Sequence, residues 1–441
     1  MNNKLAPLIE KTQSSFWFVP SLMIILSFLL AAITLYIDTT HSQANKGAIS
    51  FLYATDVNAV RSLLGTIAAA MITVTSIAFS ITIVVLTLAS SQFGPRLMRN
   101  FMMDKGTQIV LGTFIATFLF CIVIFCALSF KAPYAFEPGI TIAVAIVMTC
   151  FSVCILVYFI HHVAMSIQAD VVIDDVYCEL QQNIAKLFPS ATNENVVNSK
   201  VSLEQKKCHL AKFEVIAPFS GYLQLIDKDS LIDLASQSHC VIQLHFSAGD
   251  FIVEKTIIAT VHSSNKTDLD ISENIIAHTI YGSCRTPVQD PEFAVHQLVE
   301  IALRALSPGI NDPYTAITCI DKLSAVLCGL TDKTFPQKNI LANGVLRLVC
   351  KELTFTDIAK AAFDQIRQQC ESNLAVTIKM LDSLQVLATQ VKSDEQRSFV
   401  LTQTEMIKQQ QAKQSLSAHD RGELLLRIEK ISLPQAKNNL R

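Results

Sequence analysis

The sequence predicts a membrane α-helical part of four transmembrane helices, followed by an α+β cytoplasmic domain. Three observations carry that expectation. Only 16% of the 441 residues are charged, against about 25% in an ordinary soluble domain. The deficit is concentrated in four charge-free stretches, 12–37, 62–95, 106–130 and 138–160, each meeting the roughly 20 residues needed to cross a ~30 Å hydrocarbon core as a helix. Beyond residue 163 the pattern changes to strand-like alternation and then to amphipathic helical periodicity.

The four spans are placed at about 14–37, 62–92, 107–129 and 139–162, within a transmembrane domain 1–163. The first contains Trp17 and Pro20 and lacks a small-residue cleavage pattern, so it reads as a span and not as a removable signal peptide. Lys4 and Lys11 precede it, and Arg96, Arg99 and Lys105 fill the loop between the second and third spans. The opposite loops hold only Lys46 and Arg61, and Lys131. The positive-inside rule therefore puts both termini in the cytoplasm of a bacterial inner membrane. The twelve cysteines include no C-x-x-C pair and lie in apolar contexts such as Cys121 and Cys150. They imply no disulfide framework and no zinc site. A net charge of −2 excludes nucleic-acid binding through bulk electrostatics.

The second span is the most informative. Its 34 charge-free residues would extend ~50 Å at about 1.5 Å per residue, more than a bilayer core. Thr66, Thr73, Ser80 and Thr87 recur every seven residues, with Ala69, Ser76 and Ser90 three positions further on and Ile83 the one bulky exception. This seam of small and hydroxylated residues has two readings. It packs closely against a neighbouring helix, or copies of it surround the axis of an oligomer and line a narrow wet pathway. No charge lies inside any span, which argues against a proton relay. Arg61, Arg96 and Arg99 stand at the rims as interfacial anchors or as a filter at a pore mouth. His161 and His162, followed by Asp170, Asp174 and Asp175, raise a metal hypothesis, but adjacent residues cannot share one helix face. No metal and no cofactor is expected.

Residues 164–212 read as a helical connector ending in the Asn-rich loop after Pro189, and 213–262 as a small β domain. In that segment APFSGYL and the later GDFIV resemble the half-motif of barrel-sandwich domains of the biotinyl and lipoyl type, without a carrier lysine on a hairpin tip. Residues 263–441 are read as a helical domain, with 340–432 wholly helical. One helix runs from Asp290-Pro291 to about Leu306 and the next from Asp312-Pro313 to about Leu330. Pro308 ends the first, Gly309 permits the reversal, and Asp312 caps the second with Pro313 at its first position. Around this corner Arg285, Asp290, Gln297, Glu300, Arg304, Asn311, Asp312 and Thr315 form a polar cluster in an apolar region. A structural hydrogen-bond network, a ligand or subunit contact site and a catalytic centre are the three readings of it. The chain has no G-x-S-x-G, H-E-x-x-H or phosphate-binding loop, so no enzyme is expected.

RSLLGTIAAAMITVTSIAFSITIVVLTLASSQFGPR, SGYLQLID with GDF, and RTPVQDPEFAVHQLVEIALRALSPGINDPYTA together resemble a family of predicted bacterial membrane proteins of unknown function, over nearly the whole chain to about residue 390. The resemblance implies four spans plus a cytoplasmic domain and no established activity. The leading function class is then an oligomeric inner-membrane protein whose second helices enclose a pathway for an ion or small solute, with the cytoplasmic domain as vestibule or gate. The alternative is a non-conducting scaffold or sensor that binds a ligand or partner through that domain, and a membrane-anchored enzyme is third. The direction in which the Thr66–Thr87 seam faces separates the first two.

Overall fold

A computed structural model describes residues 17–41, 56–97, 101–102, 104–129, 138–188, 211–263 and 269–432. The chain divides into two compact units, Met1–Val172 and Ile173–Arg441.

The first unit holds four helices long and apolar enough to cross a membrane: α1 (Phe18–His41), α2 (Val57–Phe93), α3 (Lys105–Ala127) and α4 (Ile140–Ser166). α3 is the hub and packs against the other three. Its Phe120, Cys121 and Ile124 meet Leu64 and Met71 of α2 and Ala145 of α4, while Phe114 joins Ala78 and Phe159 in a second cluster. Small and hydroxylated residues allow close approach in an apolar medium. A Cβ on Gly112 would lie 3.2 Å from the Pro20 Cα and 2.6 Å from Met23 Sδ, so glycine eases the close approach of α1 to α3. The Ser27 hydroxyl donates to the Ala116 carbonyl at 2.6 Å, and Thr117 and Ser152 share a buried hydroxyl contact of 3.0 Å.

The second unit begins within α5 (Ala169–Leu187) and builds two sheets from β1 (Ala211–Ile216), β2 (Gly221–Ile226), β3 (Val241–Leu244), β4 (Phe251–Ile252), β5 (Ile257–Ser263), β6 (Thr279–Gly282), β7 (Asn339–Ala342) and β8 (Val345–Val349). One sheet runs β1-β5-β3-β8-β7, antiparallel except for the parallel pair β3/β8; the other runs β4-β2-β6 and is antiparallel. α6 (Lys228–Gln237) and α7 (Leu269–Ala277) bury Leu231, Ala235 and Ile275 against Ile242, Val261 and Leu348. Six further helices follow: α8 (Pro291–Ala305), α9 (Pro313–Leu330), α10 (Phe355–Gln369), α11 (Leu374–Gln390), α12 (Asp394–Ala412) and α13 (Ala418–Ser432). Phe355 and Phe363 both meet Phe399 edge-on.

Two expectations need correction. Residues 263–441 are not all helical, since β6, β7 and β8 lie among them. Asn343 and Gly344 both take positive φ, 51° and 75°, the requirement of a type I′ hairpin turn. That turn pairs Ile340 with Leu348, and β8 then adds to β3 across a hundred residues of chain. For the same reason 213–262 is not a self-contained β domain. Both of its sheets take strands from beyond residue 262, and the strand pairing does not bear out the barrel-sandwich resemblance.

Candidate functional site

In the membrane unit the α2 seam faces away from the other three helices. Thr66, Ala69, Thr73, Ser76, Ser80, Ile83 and Thr87 are all exposed and Ser90 is half-buried, whereas Leu64, Ile67, Met71, Thr75 and Ala78 are buried. The hydroxyls of Thr66, Thr73, Ser76 and Thr87 donate to the carbonyls four residues back, at 2.8–3.0 Å. They are satisfied locally and bridge to no other helix of the bundle. Arg61 extends sideways, and its Nη2 donates to the Leu128 carbonyl at the end of α3 at 2.6 Å, so it ties α2 to α3. Arg96 is exposed in a short 3-10 turn, Pro95–Leu97. Arg99 lies outside the described residues.

Two acidic residues just outside the charge-free runs, Asp38 and Asp104, hold helix starts in the bundle. Asp38, fully buried at the end of α1, accepts from the backbone N–H groups of Gly139, Ile140 and Thr141 at 3.0–3.2 Å, and from the Thr141 hydroxyl at 2.5 Å. It caps α4 from a different helix. The signal was the weak start of that helix: Gly139 supplies no capping side chain, so the N–H groups must find an acceptor elsewhere. Asp104 caps α3 through Gly106 and Thr107 and also meets His162 Nε2 at 2.7 Å. His162 thus pairs with Asp104 across the bundle. Among the described residues no group of three His, Cys, Asp or Glu is arranged to hold a metal.

The second unit contains a cleft of about 770 Å³, walled by the starts of α6 and α8, the β3–β4 turn, the segment after β8 and α10. That volume suits a small molecule. Arg285 and Asp290 of the polar cluster meet here. The guanidinium grips Asp290 with two bonds, 2.6 Å from Nε and 2.9 Å from Nη2, and lies 3.6 Å from Glu292. Its Nη1 stands 3.2 Å from His296 Nδ1. Asp290 is buried and also caps α8 by accepting from Glu292 N–H at 3.1 Å. Gly249 approaches it so closely that a Cβ there would strike the carboxylate, and its φ of +96° is itself hostile to a side chain. Burial alone would lower the Arg285 pKa, but the bonds and charge of Asp290, then of Glu292, hold it above its usual range. Burial raises Glu292, the Asp290 carboxylate raises it further, and Arg285 only partly relieves the shift. Asp250, gripped by Lys351 at 2.8 and 3.1 Å, fills the opposite side.

The remainder of the polar cluster does not line this cleft. Gln297 is buried in α8 with its Oε1 unpartnered, and Glu300 pairs with Arg304 at 3.5 Å on that helix. Asp312 caps α9, accepting from Tyr314 and Thr315 N–H at 3.1 and 3.2 Å and from the Thr315 hydroxyl at 2.5 Å. The reversal before it falls on Asn311, at φ 51°, and not on Gly309 as the sequence suggested. Asparagine tolerates the left-handed region better than other side-chain-bearing residues, and the Asn311 N–H closes the turn on the Ser307 carbonyl at 2.9 Å. The corner is thus a capped turn, and the cleft lies apart from it at the opposite end of α8.

The model of the predicted membrane protein family DUF2254 matches residues 13–386. The uncharacterized proteins Rv1290c of Mycobacterium tuberculosis and Mb1321c of Mycobacterium bovis are each 30% identical to the chain over 372 residues, covering 83% of it and 70% of their own length. No solved structure matches. With four membrane-length helices and an α+β unit behind a match of that extent, the chain belongs to the DUF2254 family of predicted membrane proteins.

Proposed function

We propose that the protein is a multi-pass oligomer of the bacterial inner membrane, both termini cytoplasmic, in which copies of α2 enclose a narrow pathway for an ion or small solute. The supporting observation is the split of α2 into two faces. One face, with Leu64, Ile67, Met71, Thr75 and Ala78, is buried within the bundle, while the hydroxyl seam is left outward along the helix beside exposed Ile72, Ile81 and Leu88. Hydroxyls solvate a passing ion without holding it tightly, and a ring of such helices lets every seam face one axis. The C-terminal unit is the regulatory part in this reading. The reading is non-catalytic, because Arg285 and Asp290 are committed to each other and not to a nucleophile. The cleft favours a second reading, a non-conducting sensor.

The experiment is ion-flux recording in liposomes beside native mass measurement of the oligomer, for wild type, Ser80→Leu and Ser80→Asp. On a wet axis Ser80→Leu keeps assembly and closes the path by dewetting, whereas Ser80→Asp raises cation flux. On a packed contact Ser80→Leu overpacks it at roughly 1–3 kcal/mol and weakens assembly. A well-assembled wild type silent under voltage, tension and osmotic challenge overturns the pathway and leaves the sensor.

A further inference from the structure

The lining of the cleft in the second unit carries a chemical signature of its own, independent of whether α2 conducts. Its lining includes the half-buried apolar side chains of Leu225, Phe246 and Leu353. The same lining holds seven acidic and four basic residues. Two of the four cations are already committed, Arg285 to Asp290 and Lys351 to Asp250. An incoming anion would therefore meet a surplus of carboxylate. A cation would find Glu292, whose side chain is about one-third exposed at the cleft and whose one cationic neighbour, Arg285, is bonded to Asp290 at 2.6 Å but only 3.6 Å from Glu292.

We propose that this cleft is a binding site for a small organic amine with an apolar body, its ammonium set against Glu292 and its body against the half-buried Leu225, Phe246 and Leu353. The size of the cleft, about 770 Å³, admits such a molecule whole. The burial that raises Glu292 works in the same direction: its ionised carboxylate lacks solvent and sits near Asp290, Asp357 and Asp250, and a bound ammonium relieves that repulsion. A metal ion is a poorer occupant, since no three of these carboxylates converge on one point and the apolar side chains of the lining offer it no ligands.

The test is isothermal titration of the full chain in neutral-lipid nanodiscs, blanked against empty discs, with three probes. Tryptamine carries the amine and the apolar body; indole-3-propionate keeps the body and exchanges ammonium for carboxylate; spermine keeps charge without the body. Saturable binding of tryptamine, with the other two at least tenfold weaker, is the expected result. Glu292→Gln weakens tryptamine about tenfold, the scale of one partly screened charge contact. In wild type the affinity falls as pH drops from 7 toward 5, because a raised carboxylate begins to take up its proton above the usual glutamate range; in Glu292→Gln this slope flattens. The variant is no less heat-stable than wild type at pH 7, since it removes an ionised group whose pKa the fold raises, so lost binding is not lost folding. Asp229→Asn, on the exposed rim, is a second variant and weakens tryptamine about threefold. Equal or tighter binding of indole-3-propionate, tightest binding of spermine, or tryptamine affinity unchanged in both variants each overturns the proposal.

Discussion

Asp38→Ala tests how the membrane bundle is held. The carboxylate is fully buried, and its two oxygens accept three backbone N–H groups and one hydroxyl from the start of α4. An ordinary N-cap lost to alanine costs about 1 kcal/mol, because water replaces the side chain. Here Gly139 has no capping side chain, and the site is closed to solvent. Each N–H left unsatisfied then costs ~1–3 kcal/mol. The desolvation recovered by deleting a buried carboxylate offsets part of that sum. We expect a net loss of about 3–4 kcal/mol for Asp38→Ala, a fall of roughly 10 °C in melting temperature. Asp38→Asn keeps one acceptor oxygen in nearly the same place and loses the charge facing the helix dipole, so it costs about 1–2 kcal/mol. The assay is thermal unfolding of the purified protein in mild detergent, followed by helical circular dichroism and repeated by SDS titration. Melting of both variants within a degree or two of wild type would show that the cap contributes nothing and that packing around α3 alone fixes α4.

Three shorter predictions follow from the second unit and from the topology. Gly249→Ala combines a positive φ with a collision against the buried Asp290 carboxylate, so it destabilises by about 2–4 kcal/mol in the same unfolding assay; a neutral result would contradict that close approach. Asp312→Ala costs about 1 kcal/mol and Asp312→Asn or Asp312→Ser much less, and equal losses for all three would remove the capping account of the α8–α9 corner. In cells whose native cysteines have been replaced, a membrane-impermeant thiol reagent reaches a cysteine introduced at Ser50 and misses those at Ser247 and Gln411; labelling of Ser247 from outside reverses the orientation.

What the sequence made legible was what depends on composition or on neighbouring residues. Charge-free runs gave the four spans, and the helices Phe18–His41, Val57–Phe93, Lys105–Ala127 and Ile140–Ser166 extend some of them by about a turn, because a charged or polar residue such as Arg61 or His162 ends an apolar run without ending a helix. Asp312 followed by Pro313 declared its cap because both residues act within one turn. The β7–β8 hairpin has an equally local signal, Asn343-Gly344 between apolar alternations, which the helical expectation for 340–432 does not use. The parallel addition of β8 to β3, the approach of Gly249 to Asp290 and the reach of Asp38 to α4 were not legible, since each joins segments whose proximity exists only after folding. Glycine at 249 carried a partial signal: it lies in the β3–β4 turn beside Asp250, but nothing local says that a second carboxylate comes to rest on it.

The contrast between α2 and the other membrane helices gives the pathway reading a mechanical side. α1, α3 and α4 are pinned to one another by directional bonds: Ser27 to Ala116, Thr117 with Ser152, Asp38 to the start of α4, and Asp104 with His162 near its end. α2 is anchored through Arg61 to Leu128 at its beginning. Farther along, Thr66, Thr73, Thr75, Ser76, Thr82 and Thr87 spend their hydroxyls on their own carbonyls, and contact with α3 and α4 rests on Leu64, Met71 and Ala78. Sliding or tilting α2 therefore exchanges one set of dispersion contacts for another, each worth little singly, while moving α1 or α4 would break buried hydrogen bonds at ~1–3 kcal/mol apiece. The seam-bearing helix is thus held to its neighbours chiefly by packing, where α1 and α4 are held by packing and by buried directional bonds. On the pathway reading, a displacement of α2 about its Arg61 anchor would leave the hydroxyls of Thr66, Thr73, Thr75, Ser76, Thr82 and Thr87 bonded to their own carbonyls and would trade only packing contacts.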